Sequence, residues 1–187
     1  MIITFSGMPG SGKSTIAKKA VEKLGLKRFY TGGVLRKMAK EHSMDIQTFL
    51  DYLEQHPDEE RRVDEQIYAQ ARTEEKDSDI LAEGRVAFHF LPESIKVFFD
   101  VTIEEGTHRI YNQMQGNNDR NEKHYISFDE ALIATKKRLD SEKRRYKALY
   151  NIDVYDRSNY DIVIDTTGKP IDEVKHEFFT KLKNLTT

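Results

Sequence analysis

One octapeptide constrains the possible fold more than any other feature. Gly7-Met8-Pro9-Gly10-Ser11-Gly12-Lys13-Ser14 meets every fixed position of G-x-x-x-x-G-K-[ST]. An apolar run, Ile2-Ile3-Thr4-Phe5, precedes it, and Ile16, Ala17, Ala20, Val21 and Leu24 follow at helical steps. Strand, glycine-rich loop and helix, in that order, make a phosphate cradle. The glycines let main-chain N–H groups close around phosphate oxygens, and the helix start adds the positive end of its dipole. Gly7, Met8, Pro9, Gly10, Ser11, Gly12, Lys13, Ser14 and Thr15 are therefore the expected residues for a nucleoside triphosphate. Lys13 is suited to the β- and γ-phosphates, and the Ser14 hydroxyl to Mg²⁺.

Four further short runs resemble the first: Lys27-Arg28-Phe29-Tyr30, Asp79-Ile80-Leu81-Ala82, Lys96-Val97-Phe98-Phe99 and Asp161-Ile162-Val163-Ile164. Lacking clean alternation, they suit parallel strands buried on both faces. Helical patterns separate them, so the expected fold is α/β, a five-stranded parallel sheet flanked by helices. Two stretches interrupt the alternation. Residues 34–77 read as two or three charged helices broken at Pro57. The polar run 116–123, Gly-Asn-Asn-Asp-Arg-Asn-Glu-Lys, reads as an exposed turn-forming segment. No repeat or linker divides residues 1–187, so one domain is expected.

Composition narrows the class. The chain has 187 residues, 33% of them charged, with a net charge of −2. Without a basic excess it is not expected to bind nucleic acid. The absence of cysteine excludes disulfides, thiolate metal sites and cysteine nucleophiles. His42, His56, His89, His108, His124 and His176 show no metal-ligand spacing. The N-terminus lacks the marks of a signal peptide, and no apolar run nears the roughly 18 residues of a membrane span. A cytoplasmic, soluble protein with small-molecule partners and no membrane partner is expected.

Other phosphate-loop classes fit less well. Asp165-Thr166-Thr167-Gly168 spells D-x-x-G, but no N-K-x-D follows. No apolar run ends in the Asp-Glu pair of a mechanochemical ATPase. A small-molecule kinase remains. If its acceptor is itself a phosphate, the attacking oxygen is already ionised and no general base is needed; fixed positive charge and exclusion of water are. Arginine supplies that charge and grips phosphate bidentately. Arg36 follows the second strand. Glu83-Gly84-Arg85 ends the third, at the sheet edge where ligands bind. There Glu83 could serve the metal's water shell, or Glu83 and Arg85 could simply form a salt-bridged turn. Arg138, Glu142 and Arg145, spaced by four and three, share one helix face. On spacing alone a surface i, i+4 ion-pair ladder is the favoured reading, because such helices are common.

Together these pieces resemble the cytidylate kinases, especially their short archaeal-type branch, over nearly the whole chain from Ile2 to about Leu182. The resemblance rests on residues 7–14, Thr-Gly-x-x-x-Arg-x-Met-Ala at 31–39, the acidic segment from Pro57 to Asp64, and Glu83-Gly84-Arg85. It continues through Phe90-Leu91-Pro92, Arg109-Ile110, Arg138-x3-Glu142-x2-Arg145-Tyr146, Tyr150-x-Ile152-Asp153 and residues 160–166. The R-x3-[DE]-x2-R helix is far more specific than the phosphate loop and favours the functional reading of the triad. The resemblance implies an adenylate kinase-like fold, with a monophosphate-binding region at about 34–77 and a lid near 104–132. It implies Mg²⁺-ATP as phosphoryl donor and CMP or dCMP as acceptor. Lys13, Arg85, Arg138 and Arg145 are the implied catalytic residues, and Arg36 joins them on the acceptor phosphate. Glu142 is implied to face the ribose hydroxyls, and Arg109 to cover the donor adenine. Thr31 and Asp64 are candidates for base recognition, though Thr31 reads equally as a cap and Asp64 as a surface ion pair. A monomer is expected.

The chain departs from the pattern in three places. Gln113 stands where a second lid arginine is usual, and an insertion at about 115–125 offers Arg120 or Lys123 as a substitute. Val86-Ala87-Phe88-His89 replaces a Leu-Ala-Gly-like turn. Gly33 takes the place of an acidic or hydroxyl residue. These changes leave a kinase for UMP or AMP, or an ATP-binding module without turnover, as competing readings.

Overall fold

The computed structural model describes residues 1–76, 78–115 and 125–186. The run 116–123, including Arg120 and Lys123, lies outside the described residues. Five parallel strands form one sheet: β1 (Ile2–Gly7), β2 (Lys27–Tyr30), β3 (Ile80–Glu83), β4 (Ile95–Asp100) and β5 (Ile162–Asp165), in the order β2-β3-β1-β4-β5. Their bounds differ from the sequence expectation by a residue or two at most ends. Every residue of the central β1 is buried, which is why its run is uniformly apolar or small.

Successive side chains of a strand point to opposite faces of the sheet. Ile3 and Phe5 of β1, Leu81 of β3, and Val97 and Phe99 of β4 point to one face. There they meet Ile16, Ala17 and Ala20 of helix α1 (Lys13–Leu24) and Val174, Phe178 and Leu182 of helix α8 (Ile171–Thr186). Phe5 packs edge-on against Phe99 and Phe178, with ring centroids 4.8 and 5.2 Å away. Ile2, Ile80, Ala82 and Phe98 point to the other face. It is covered by α4 (Pro57–Glu75), the single turn α5 (Ala87–Phe90) and α7 (Phe128–Tyr150).

The first excursion becomes three helices: α2 (Thr31–Glu41), α3 (Ile46–Gln55) and α4. Pro57 sits at the start of α4, where its missing N–H costs nothing and Asp58, Glu59 and Glu60 follow in the first turn. Between β4 and α7 runs α6 (Ile103–Gln115). Ser127 caps α7 by accepting the Glu130 N–H at 3.2 Å, and the helix ends at Asn151 in the left-handed conformation. Among the described residues no helix is long and apolar enough to cross a membrane.

Candidate active site

Because all strands are parallel, their C-terminal ends meet at one edge, and Thr31, Glu83 and Arg85 lie there. The phosphate loop leaves β1 there. The Met8 N–H donates to the Phe99 carbonyl at 2.9 Å. Gly12, at φ 75°, starts α1 with no side-chain cap and no acidic residue in the first turn. The first N–H groups of α1 therefore remain available to an anion. On its other side the loop meets α6 most closely where two glycines face each other. A Cβ on Gly10 would lie 2.0 Å from the Gly106 carbonyl oxygen, and one on Gly106 would lie 2.3 Å from the Pro9 oxygen. Gly106 belongs to none of the motifs, and only this close approach explains it.

Glu83, fully buried at the end of β3, organises the donor side. Its Oε2 accepts from Ser14 Oγ at 2.8 Å and Lys13 Nζ at 3.2 Å. Its Oε1 accepts from Arg28 of β2 at 2.5 Å. Burial alone would raise the carboxyl pKa; Lys13 and Arg28 more than reverse this and hold it below its ordinary value. Burial also lowers the Lys13 pKa, against the pull of Glu83.

Arg85, two residues on, turns the other way. Gly84 between them has no room for a side chain, since a Cβ would meet the Tyr68 hydroxyl at 2.3 Å. Arg85 donates from Nη1 to the Gly7 carbonyl at 2.5 Å and from Nε to Glu142 Oε2 at 2.7 Å. Arg138 Nε reaches Glu142 Oε1 at 2.9 Å, and the Tyr155 hydroxyl donates to Oε2. Arg138 and Glu142 thus form an i, i+4 pair, but Glu142 is only 6% exposed and shared with Arg85, so no ladder runs along the surface, and Glu83 and Arg85 pair with other residues. Tyr155 was not singled out in the sequence; an aromatic residue in the polar turn after Asp153 is its only mark.

The remaining candidates separate. Arg145, on the same face of α7, pairs with buried Glu60 of α4 at 3.2 Å. Its Nε is buried without a partner, as is Ser11 Oγ in the phosphate loop. Arg36 donates to the Tyr30 hydroxyl at 2.7 Å. The Thr31 hydroxyl donates to the Glu83 carbonyl oxygen at 2.7 Å. It does not cap α2, whose N-cap is Tyr30 without a side-chain bond. Arg109 of α6 pairs with Glu105 at 3.0 Å and donates to the Thr166 carbonyl at 2.8 Å and, more weakly, the Gly10 carbonyl at 3.5 Å. It thus ties the phosphate loop to the turn after β5, within the D-x-x-G sequence. Thr15 is exposed. Val86, Ala87 and Phe88, the departure after Arg85, are buried in the core. Among the described residues no group of three or more His, Asp or Glu side chains could hold a metal ion.

Asp64 is buried rather than a surface ion pair, and accepts from the Tyr150 hydroxyl at 2.8 Å. Burial pushes its carboxyl up to about 7, against the Tyr150 hydrogen bond and nearby Arg145. The folded-state value thus lies above the unfolded value of about 3.9. Stability from the neutral form is full below about pH 4 and is lost as pH rises through about 7. Asp64→Asn should therefore melt higher than the wild type near pH 8, with the gap closing toward pH 4. Thermal melts of both chains across this range check it, and a gap independent of pH would contradict it.

A phosphate cradle, a buried acid beside its lysine and serine, and converging arginines at the edge of a 2-3-1-4-5 parallel sheet define a P-loop phosphotransferase. Shikimate kinases of Aquifex aeolicus and Bacteroides thetaiotaomicron share the fold. Their TM-scores are 0.58 and 0.60 at 18% and 14% identity, over all of this chain and 98% and 99% of theirs. The family described as an AAA domain matches residues 6–125. Cytidylate kinase of Methanocaldococcus jannaschii is 37% identical over 190 residues, 99% of each chain. That of Pyrococcus horikoshii is 34% identical over 168 residues, 89% of this chain and 80% of its own. The chain belongs to the cytidylate kinase family.

Proposed function

We propose that this protein transfers the γ-phosphoryl group of ATP to CMP or dCMP, giving ADP and CDP or dCDP. The observation that carries the reading is the convergence of Arg85 and Arg138 on one carboxylate, with Arg85 also bonded to the phosphate-loop carbonyl of Gly7. Guanidiniums fixed beside a triphosphate cradle suit an acceptor that is itself a phosphate. Residues 7–15 hold the donor phosphates, with Lys13 on the β- and γ-oxygens, and Arg109 lies on the donor adenine side. Arg85, Arg138 and Arg145 grip the acceptor phosphate and the transferring group. An oxygen of the CMP phosphate attacks the γ-phosphorus, ADP leaves, and no proton need be removed first. Arg36, Thr31, Asp64 and Glu142 complete the acceptor side. In this reading residues 34–77 are the monophosphate-binding region and 104–132 the lid of a single nucleotide kinase domain. Closure of the two over both substrates excludes water.

The Ser14 hydroxyl and the Glu83 carboxylate form an all-oxygen donor set, 2.8 Å apart, which fits the hard Mg²⁺ that accompanies ATP. Ser14 would hold it directly and Glu83 through water; bound there, it neutralises charge on the β- and γ-phosphates. The protein is proposed to work in the cytoplasm as a monomer.

The test is ADP production with Mg²⁺-ATP against CMP, dCMP, UMP, AMP, GMP and no acceptor. Turnover confined to CMP and dCMP is the expected result. Turnover on UMP or AMP instead would keep the clamp and overturn the base assignment. Hydrolysis without an acceptor, or no reaction, would overturn the kinase reading in favour of an ATP-binding module.

A further inference from the structure

Tyr30 ends β2 and serves as N-cap of α2. Two guanidiniums lie over its ring: the Cζ of Arg28 at 4.8 Å from the centroid and that of Arg36 at 5.1 Å. Arg36 also donates to the Tyr30 hydroxyl at 2.7 Å. Arg28 in turn holds Oε1 of Glu83, which leaves Oε2 for Lys13 and Ser14. One aromatic ring thus touches the arginine that fixes the donor-side carboxylate and the arginine assigned to the acceptor.

The ring also occupies the space over the first turn of α2. A Cβ at Gly32 would lie 3.1 Å from Tyr30 Cε2, and one at Gly33 would lie 3.2 Å from Cδ1. At those distances a side chain would require the ring to give by a few tenths of an ångström. Gly33, a departure from the family pattern, thus leaves the Tyr30 ring uncrowded in its place over α2.

The chemistry of the holder matters. Arg85, Arg138 and Arg145 each rest on a carboxylate, which an incoming phosphate must displace or share. Among the described residues Arg36 forms no ion pair. Its holder is a neutral phenol and a ring face, which restrain the side chain without cancelling its charge. A half-buried arginine otherwise samples many rotamers, and ordering it on binding costs affinity.

We propose that Tyr30 is a positioning residue. Its hydroxyl and ring hold the Arg36 guanidinium for the acceptor phosphate, and the same ring steadies Arg28 against Glu83. The proposal rests on the assignment of Arg36 to the acceptor made above.

Steady-state kinetics with each substrate varied in turn provide the test. Tyr30→Phe keeps the ring and removes the hydroxyl. It is expected to raise the KM for CMP about fivefold, with kcat changed by less than about twofold and the KM for ATP unchanged. In an Arg36→Ala background the same substitution should have no further effect, because its route is through Arg36. Tyr30→Leu, which removes the ring as well, should also raise the KM for ATP, through Arg28 and Glu83. Additive losses in the Arg36→Ala background would overturn the proposal, as would a lowered melting temperature with both KM values unchanged. An unchanged KM for ATP in Tyr30→Leu would overturn its donor half. If wild type turns over a different monophosphate, that acceptor replaces CMP in the same assay and only the base assignment has failed. No turnover with any acceptor overturns the functional reading and this proposal together.

Discussion

Lys13→Met should lose about 10²–10³-fold in turnover, the scale of removing one preorganised charge-stabilising donor, while the protein stays folded. The two halves of that expectation have separate causes. Lys13 is the cation of the phosphate cradle, and the main-chain N–H groups that remain cannot supply its full charge as the leaving β-phosphate gains electrons. The fold, by contrast, does not depend on it. Glu83 would still be paired with Arg28 at 2.5 Å and hydrogen-bonded by Ser14 at 2.8 Å, so no uncompensated carboxylate is left in the core. Lys13 itself bears a desolvation cost, seen in its lowered pKa, and a methionine of similar length relieves it. The melting temperature should therefore stay within about 3 °C of wild type, the range of a change near 1 kcal/mol in a domain of this size. Initial rates at saturating substrate and a thermal melt check both halves. Turnover within tenfold of wild type would remove Lys13 from the chemistry, whereas a collapsed melt would mean that Glu83 needs both of its cations.

How far the sequence reaches can be judged residue by residue. The five strands were legible because strands buried on both faces carry contiguous apolar runs, and Pro57 marked a break between helices because its ring restricts where a helix can continue. The phosphate loop was legible in full, since its function resides in one contiguous segment. The spacing of Arg138, Glu142 and Arg145 correctly placed them on one helix face, and that is as far as periodicity goes. The Arg138–Glu142 pair is the i, i+4 contact that the spacing offered, but periodicity could not show that Glu142 would be buried against Arg85 or that Arg145 would turn to Glu60 on α4. Arg28, Tyr30, Tyr155 and Gly106 were missed for the same reason. Each matters through a partner distant in sequence or through a shape fixed only after α2, α6 and α7 have packed. Glu83 and Arg85 show the limit most clearly. Two residues apart in the sequence, they invite a reading as one salt-bridged turn, yet Glu83 takes Lys13, Ser14 and Arg28 while Arg85 takes Gly7 and Glu142.

Glu142 provides the strongest stability prediction. Its two oxygens receive Arg85, Arg138 and the Tyr155 hydroxyl. In Glu142→Gln an amide faces them, so Arg85, with only 15% of its side chain exposed, loses its counter-charge. Breaking a buried pair from one side costs about 3–5 kcal/mol. The Arg138 side chain is 49% exposed, so water screens its share and the lower end of that range applies. The expected fall in melting temperature is about 6–12 °C near pH 7. Acid should close the gap. Burial alone would raise the Glu142 pKa, but Arg85 and Arg138 overcome burial and hold it far below the usual carboxylate range. A folded-state value below the unfolded value of about 4.3 gives stability that is complete above that pH and lost as pH falls toward the folded value. Wild type should therefore lose its advantage over Glu142→Gln progressively below about pH 4, whereas a purely steric effect of the amide would persist. Kinetics separate the two roles open to this carboxylate. As the internal counter-ion that sets Arg85 and Arg138, its loss lowers kcat along with stability. If its main task were to read a ribose hydroxyl, Glu142→Gln would raise the acceptor KM and leave the melt nearly unmoved.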